Sequence, residues 1–288
     1  MRAMPRSAIG SDNVSALTRG FEVLDCFAQA RRPLGNGEVA LATGIPKPTV
    51  SRLIATLVAL GHLRPAAERD KVELAAGVVR LAQAFLGAID VRHFARPHVV
   101  ALAEATGASS FLGVRDGDEM LVVEAGRSRS AVAFLGSDVG TRMALASSSL
   151  GRAWLAGVDA PTRSAVLARL RKGPAAQRAL AGPSLDAALA QARRDGYALS
   201  LGEWHPNINA IAAPVRTPSG EVVTINCGSP AFVMPAERLR EKVVPLLLQA
   251  AAALARDIGG VAGPALTALA DAAAPSVPRP SRKATTHA

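Results

Sequence analysis

The sequence predicts an α+β protein in two parts: a small helical domain closed by a β-hairpin, then a larger domain with helices over an antiparallel sheet. Near the N-terminus, two helical segments flank a Gly-containing turn and run into a charged hairpin, the order of a winged helix-turn-helix. From Ser109 onward, strand-like segments give way to helices and then return, which is the texture of an α+β layer. The 288 residues, 49% of them hydrophobic, are also more than one ordinary core holds.

Residues 1–13 are small and polar and read as a disordered lead. From Ser15, Leu17, Phe21, Leu24 and Phe27 mark one face of a first helix that Arg31, Arg32 and Pro33 end. Asn36 suits the N-cap of a short helix through Val39, Ala40 and Ala42, and Gly44 stands where a left-handed residue belongs. Pro46 and Pro48 suit the first turn of the next helix, which runs from about Lys47 to Leu60 and stops at Gly61. Two extended pieces near Leu63–Pro65 and Lys71–Leu74 then form the wing, so the first domain spans 14–76. Residues 77–90, with Val79, Leu81, Phe85 and Leu86 in helical spacing, read as a linker helix.

The second domain is expected over 91–260. Residues 91–107 are helical. "SSFLGVRDG" and "DEMLVVEAGR" form a hairpin through Asp116 and Gly117, and "SAVAFLG" is a third strand. "ASSSLGRAWLAG" opens a helix with serines at hand for its cap. Residues 160–194 are two helices broken at Gly173-Pro174 and Gly182-Pro183. "YALSLGEW" and "INAIAAPVRTPSGEVVTINCG" supply further strands, and a last helix runs from Pro235 to Ile258. The Ala/Pro-rich segment 261–288 reads as a disordered tail.

Net charge is +10, which favours polyanionic partners. Residues 1–76 hold ten Lys/Arg against seven Asp/Glu, so the excess is spread along the chain and not gathered in one basic arm. No apolar run is long enough for a membrane span or a secretory signal, which places the protein in the cytoplasm. Cys26 and Cys227 fit neither a disulfide framework nor a metal pattern, and no cofactor is expected. There is no GxSxG elbow, no phosphate loop and no HExxH, so the chain is expected not to be an enzyme.

The helix from Lys47 carries the chemistry. Val50, Leu53, Ile54 and Leu57 project one way. Lys47, Thr49, Ser51, Arg52 and Thr56 are left facing out near the helix start, with no acid among them. Short hydroxyls let a helix approach base edges, and long cations reach guanine and phosphate. A solvated face on an ordinary bundle carries the same residue types. It is the ordered set of helices, turn, proline entry and hairpin that favours DNA. In the second domain, "ASSSLG" suits an anion because hydroxyls and N–H groups converge at a helix start, although simple N-capping explains it nearly as well. Glu203, Trp204 and His205 stand together as a weaker pocket candidate.

The segment from Ser15 through "GHL", together with "RPHVVALAEATGASSFLGVRDGDEMLVVEA", "ASSSLGRAWLA" and "GYALSLGEWHPNINAIAAPVRTPSGEVV", resembles the IclR family of transcriptional regulators over about residues 14–258. The resemblance implies a GAF-like effector domain for a small organic or aromatic acid, and homodimers or homotetramers on palindromic double-stranded DNA. Position by position it implies DNA contacts at Arg19, Lys47, Thr49, Ser51 and Arg52, with Arg64 and Lys71 flanking the wing; Pro48 and Thr56 of the same helix complete the expected DNA-facing set. It implies an effector pocket at Ser148, Ser149, Leu150, Ser200, Ala210, Asn226 and Gly228, to which the residues themselves add Glu203. The chain departs from the family pattern at Ala75 and Asn207, where Gly is common, and at Arg152, where Lys is common. The rival readings are a small-molecule-converting enzyme on the second domain, a non-specific nucleic-acid binder, and a sensor whose helix-turn-helix contacts only protein.

Overall fold

The computed structural model describes residues 14–128, 137–173, 183–263 and 266. The expected lead, the expected strand at 130–136, the segment between the two Gly-Pro breaks and the tail beyond 266 lie outside them. The chain divides into two compact units, Met1–Ala88 and Ile89–Ala288.

In the first unit, α1 (Ser15–Ala30) is followed by β1 (Leu34–Gly35), α2 (Asn36–Thr43), α3 (Lys47–Ala59), β2 (Leu63–Pro65), β3 (Lys71–Leu74) and α4 (Ala76–Gly87). The core joins Val23 and Phe27 of α1 to Val39 of α2 and to Val50, Ile54 and Leu57 of α3. Leu53 is half-buried against it. The apolar face of α1 is covered only in its second half. Leu17 and Phe21 are 62% and 57% exposed, because the buried contacts of α1 begin only at Val23.

Asn36 is not the N-cap of α2. Gly35 takes that place, and its N–H donates to Glu38 Oε2 at 2.9 Å, so the carboxylate reaches back across the first turn. Gly44 closes α2 in the left-handed region (φ 68°), and Pro46 opens α3. β3 pairs antiparallel with both β2 and β1, which makes the wing a three-stranded sheet. Ala75 has φ −112°, an ordinary extended value, so glycine is not required there. A side chain at Gly77 would meet the Gly61 carbonyl oxygen at 2.4 Å, and the Gly77 N–H donates to that oxygen at 2.9 Å. The start of α4 is thereby fixed to the turn that ends α3.

The second unit opens with α5 (Asp90–Thr106), β4 (Ser109–Asp116), β5 (Glu119–Arg127) and β6 (Arg142–Ala144). Next come α6 (Ser149–Gly157), α7 (Ala160–Lys172), α8 (Pro183–Asp195), β7 (Ala198–Leu201), β8 (Ile208–Arg216) and β9 (Val222–Pro230). The sheet order is β10 (Val261–Ala262)-β8-β9-β4-β5-β6, all antiparallel, with β7 also paired to β8. β8 is buried along nearly its whole length because it is covered on both sides. α6 packs over Gly113, where a Cβ would touch Leu150 at 3.2 Å. α5 packs on the other face, over Gly126, where a Cβ would meet the Val99 carbonyl oxygen at 2.6 Å.

Two expectations are corrected at the C-terminal end. The single last helix is α9 (Ala236–Arg238), a π-helical turn (Leu239–Val243) and α10 (Val244–Ile258). Pro245 has no N–H to give to the turn before it, and the widened turn lies just upstream. Val261–Ala262 are not tail but β10, paired with Arg216 and Val215 on β8. A Cβ on Gly260 would lie 2.2 Å from the Arg216 carbonyl oxygen, so a glycine lets the chain come in to that edge.

Candidate functional site

Two sites emerge, one in each unit. On α3, Lys47, Pro48, Arg52 and Thr56 are exposed along one side, while Thr49 is half-buried. Ala55 and Ala59 are exposed beside them, so no bulky side chain stands in front of Arg52. Sequence reasoning passed over these alanines, though their spacing of three and seven from Arg52 places them on its face. Pro46 and Pro48 remove N–H groups at a helix start that lacks a side-chain cap.

Ser51 is placed differently from the expectation. Its hydroxyl accepts from Asn36 Nδ2 at 2.8 Å and donates to the Lys47 carbonyl at 3.1 Å, which ties α2 to α3. Thr56 Oγ1 likewise donates to the Arg52 carbonyl at 3.0 Å. On the wing, Arg64 is paired with Glu73 at 2.8 Å, and Lys71 with Glu68. Arg69, which sequence reasoning did not single out, stands at the hairpin tip with its side chain 96% exposed. Its neighbour Asp70 adopts φ 60°, a left-handed turn value that Asp tolerates. Arg19 is exposed on α1.

The second site is a small, narrow cavity between α6 and the face of the sheet that α6 covers. Six of the expected effector residues line it: Ser148, Ser149, Ser200, Ala210, Asn226 and Gly228. Register explains the sheet contribution, since Ala210 pairs with Gly228 and Ala212 with Asn226, which puts the even-numbered side chains of both strands on one face. Phe111, Met143, Trp204 and Ile208 supply the apolar wall. Of these only Trp204 had a sequence signal, because the others come from distant strands that look like ordinary core. Ser137 also lines it; its buried hydroxyl has no hydrogen-bond partner among the described residues.

Leu150 and Glu203 do not line the cavity. Leu150 is fully buried against the sheet at Gly113, since it follows Ser149 on the helix and points inward. Glu203 turns away to pair with Arg152 at 2.9 Å.

The polar wall is held by its own bonds. Ser148 caps α6, accepting from the Gly151 N–H at 3.0 Å and donating to the Ala144 carbonyl at 2.7 Å. Ser200 donates to the Ser147 carbonyl at 2.7 Å. Asn226 Oδ1 accepts from the Phe111 N–H at 3.0 Å. With Oδ1 held, the amide NH₂ is the part of Asn226 left to serve the cavity. Ser149 lies at the first position of α6, where N–H groups have no acceptor within the helix. Such a site offers neutral donors to an anion and a greasy surface to its body.

A buried thiol elsewhere in the unit offers no nucleophile. Cys227 is fully buried, its Sγ meets Thr106 Oγ1 at 3.3 Å, and burial pushes the thiol up to about 11. Among the described residues no helix is long and apolar enough to cross a membrane.

Comparison with known proteins bears on both sites. Residues 16–66 match the IclR helix-turn-helix domain, and residues 83–259 match the C-terminal domain of IclR bacterial transcriptional regulators. The chain is 31% identical to the HTH-type transcriptional regulator TsaQ1/TsaQ2 of Comamonas testosteroni, over 83% of this chain and 87% of that one. It is 25% identical to the Pca regulon regulatory protein of Pseudomonas putida, covering 86% of each. An IclR family regulator from Brucella abortus superposes with a TM-score of 0.68 at 35% identity, over 86% of this chain and 94% of that one. An IclR homologue from Microbacterium hydrocarbonoxydans, solved with 4-hydroxybenzoate, shares the fold with a TM-score of 0.69 at 24% identity, over 85% and 99%.

Proposed function

The chain belongs to the IclR family of bacterial transcriptional regulators, and from that premise we propose that α3 reads DNA while the α6 cavity binds a small organic or aromatic acid that controls it. The observation that carries this reading is the presence, in one chain, of an exposed cationic helix start and of an enclosed cavity with neutral donors on an apolar bed. Lys47 and Arg52 meet phosphate and base edges, with Pro48, Thr49 and Thr56 beside them. Ser51 sets the angle of α3. Arg69, Arg64 and Lys71 bring the wing to the backbone once DNA competes with their carboxylate partners, Asp70, Glu73 and Glu68. Arg19 adds a phosphate contact from α1.

Leu17 and Phe21 of α1 and Val79, Leu81 and Phe85 of α4 are each at least half exposed, which supports a homodimer that covers them. Two copies of α3 then meet half-sites of a palindromic operator about 34 Å apart. Effector and DNA change each other's affinity by the same factor, because both bias one equilibrium between dimer arrangements.

The test is fluorescence anisotropy of the full chain, at matched salt, on DNA from its own upstream region and on random DNA, with and without 4-hydroxybenzoate or related acids. Tighter binding to its own region, altered by an acid, is expected. Ser149→Leu is expected to abolish the response to the acid and keep DNA affinity. Equal affinity for both DNAs leaves only charge-driven binding and overturns the proposal.

A further inference from the structure

We infer that the cavity selects ligands bearing a single negative charge, and that Glu203 sets this selectivity by cancelling the charge of Arg152. The inference rests on the reading of the cavity as the effector site.

None of the described lining residues is charged. A buried cation, Arg152, lies on α6 three residues after the lining Ser149, its side chain 8% exposed. Its guanidinium donates to the Ala146 carbonyl at 3.0 Å, to the Leu199 carbonyl at 2.9 Å and to Glu203 Oε1 at 2.9 Å. Ala146 and Leu199 lie within three residues of the lining serines Ser148, Ser149 and Ser200. The guanidinium is therefore bonded to the residues just before Ser147 and Ser200, the two that are joined by the hydrogen bond bracing the polar wall. A lone buried cation there would draw extra negative charge into the cavity, because a low-dielectric wall screens it poorly.

Glu203 removes that pull. Burial pushes its carboxyl up, but the hydrogen bond and charge of Arg152, with the Leu201 N–H behind them, bring it below the usual carboxylate range. The pair is ionised and neutral overall. One carboxylate of a ligand can then be met by the start of α6, the Ser149 and Ser137 hydroxyls and the Asn226 amide. A second carboxylate would face Phe111, Met143 and Ile208 and lose its hydration without replacement.

Calorimetric titration of the full chain with terephthalate and 4-carbamoylbenzoate separates charge from size, since the two differ little in shape and by one charge. Benzoate and 4-hydroxybenzoate complete the panel. At least tenfold weaker binding of terephthalate than of 4-carbamoylbenzoate is expected. Glu203→Gln, which keeps the shape and frees the Arg152 charge, is expected to narrow that ratio at least threefold. A native protein that binds the isosteric pair equally overturns the charge selectivity while leaving the effector site standing. A folded Glu203→Gln protein with an unchanged ratio overturns the role of Glu203. Failure of every monoanion in the panel to bind overturns the site reading together with the inference.

Discussion

Asn36 Nδ2 and Ser51 Oγ form a 2.8 Å hydrogen bond that joins the first residue of α2 to the exposed helix α3. The same Ser51 hydroxyl donates to the Lys47 carbonyl, so its donor and one acceptor site are already used. Ser51 thereby ties α3 to α2.

Asn36→Ala and Ser51→Ala are each expected to cost about 1 kcal/mol of stability, the usual net worth of one hydrogen bond. The double mutant is expected to lose clearly less than the sum, since both changes delete one interaction. Denaturant titration of the four proteins measures this, and additive losses would show that the contact does not matter.

Arg52→Ala is expected to weaken operator binding by roughly 1–3 kcal/mol, the range for a side chain that reads a base, with stability unchanged. Its guanidinium has no partner among the described residues, so removal leaves no orphaned group in the fold. Anisotropy at fixed salt checks the affinity, and a thermal melt checks the fold.

Glu73→Gln is expected to tighten DNA binding and steepen its salt dependence by up to about one unit of log slope, because Arg64 loses the carboxylate that now holds it at 2.8 Å. Titrations at several salt concentrations measure that slope. An unchanged slope would mean that Arg64 stays off the DNA.

Asp159 caps α7, accepting from the Thr162 N–H at 2.7 Å and from its hydroxyl at 3.0 Å. The Thr162 N–H bond holds the carboxyl below its ordinary 3.8, with burial opposing it. A group depressed in the folded state stabilises fully above its unfolded value, and that contribution fades as pH falls below 3.8 through the lower folded value. Asp159→Ala is expected to cost about 1 kcal/mol near neutrality. The gap from the native protein is expected to shrink in acid, as followed by stability measurements from pH 7 down to pH 3.

Much of the first unit was legible because its signals are local. Gly44, the Pro46/Pro48 entry and the spacing of Val50, Ile54 and Leu57 act within a few residues of one another, and so does the charged turn between Leu63–Pro65 and Lys71–Leu74. What was missed there depended on partners farther away. Leu17 and Phe21 have helical spacing, but spacing does not say how far along α1 its neighbours reach. Asn36 suits an N-cap by type, yet its amide is taken by Ser51, fifteen positions on.

The cavity depended on contacts of long range. The sequence by itself determined the hydroxyl-rich start of α6, the strand segments and the two cysteines too far apart in sequence for a metal pattern. Only the tertiary structure decided which side chains share a face. A strand buried on both sides has no alternation of polar and apolar residues to mark its cavity side, so Phe111 and Ile208 could not be told from core, and Met143 lies on a three-residue strand too short to show a pattern. Register settles that choice, by pairing Ala210 with Gly228 and Phe111 with Asn226. The same packing turned Leu150 into the core and Glu203 toward Arg152, because a one-residue step on a helix or a charged neighbour across the loop reverses a side chain's direction.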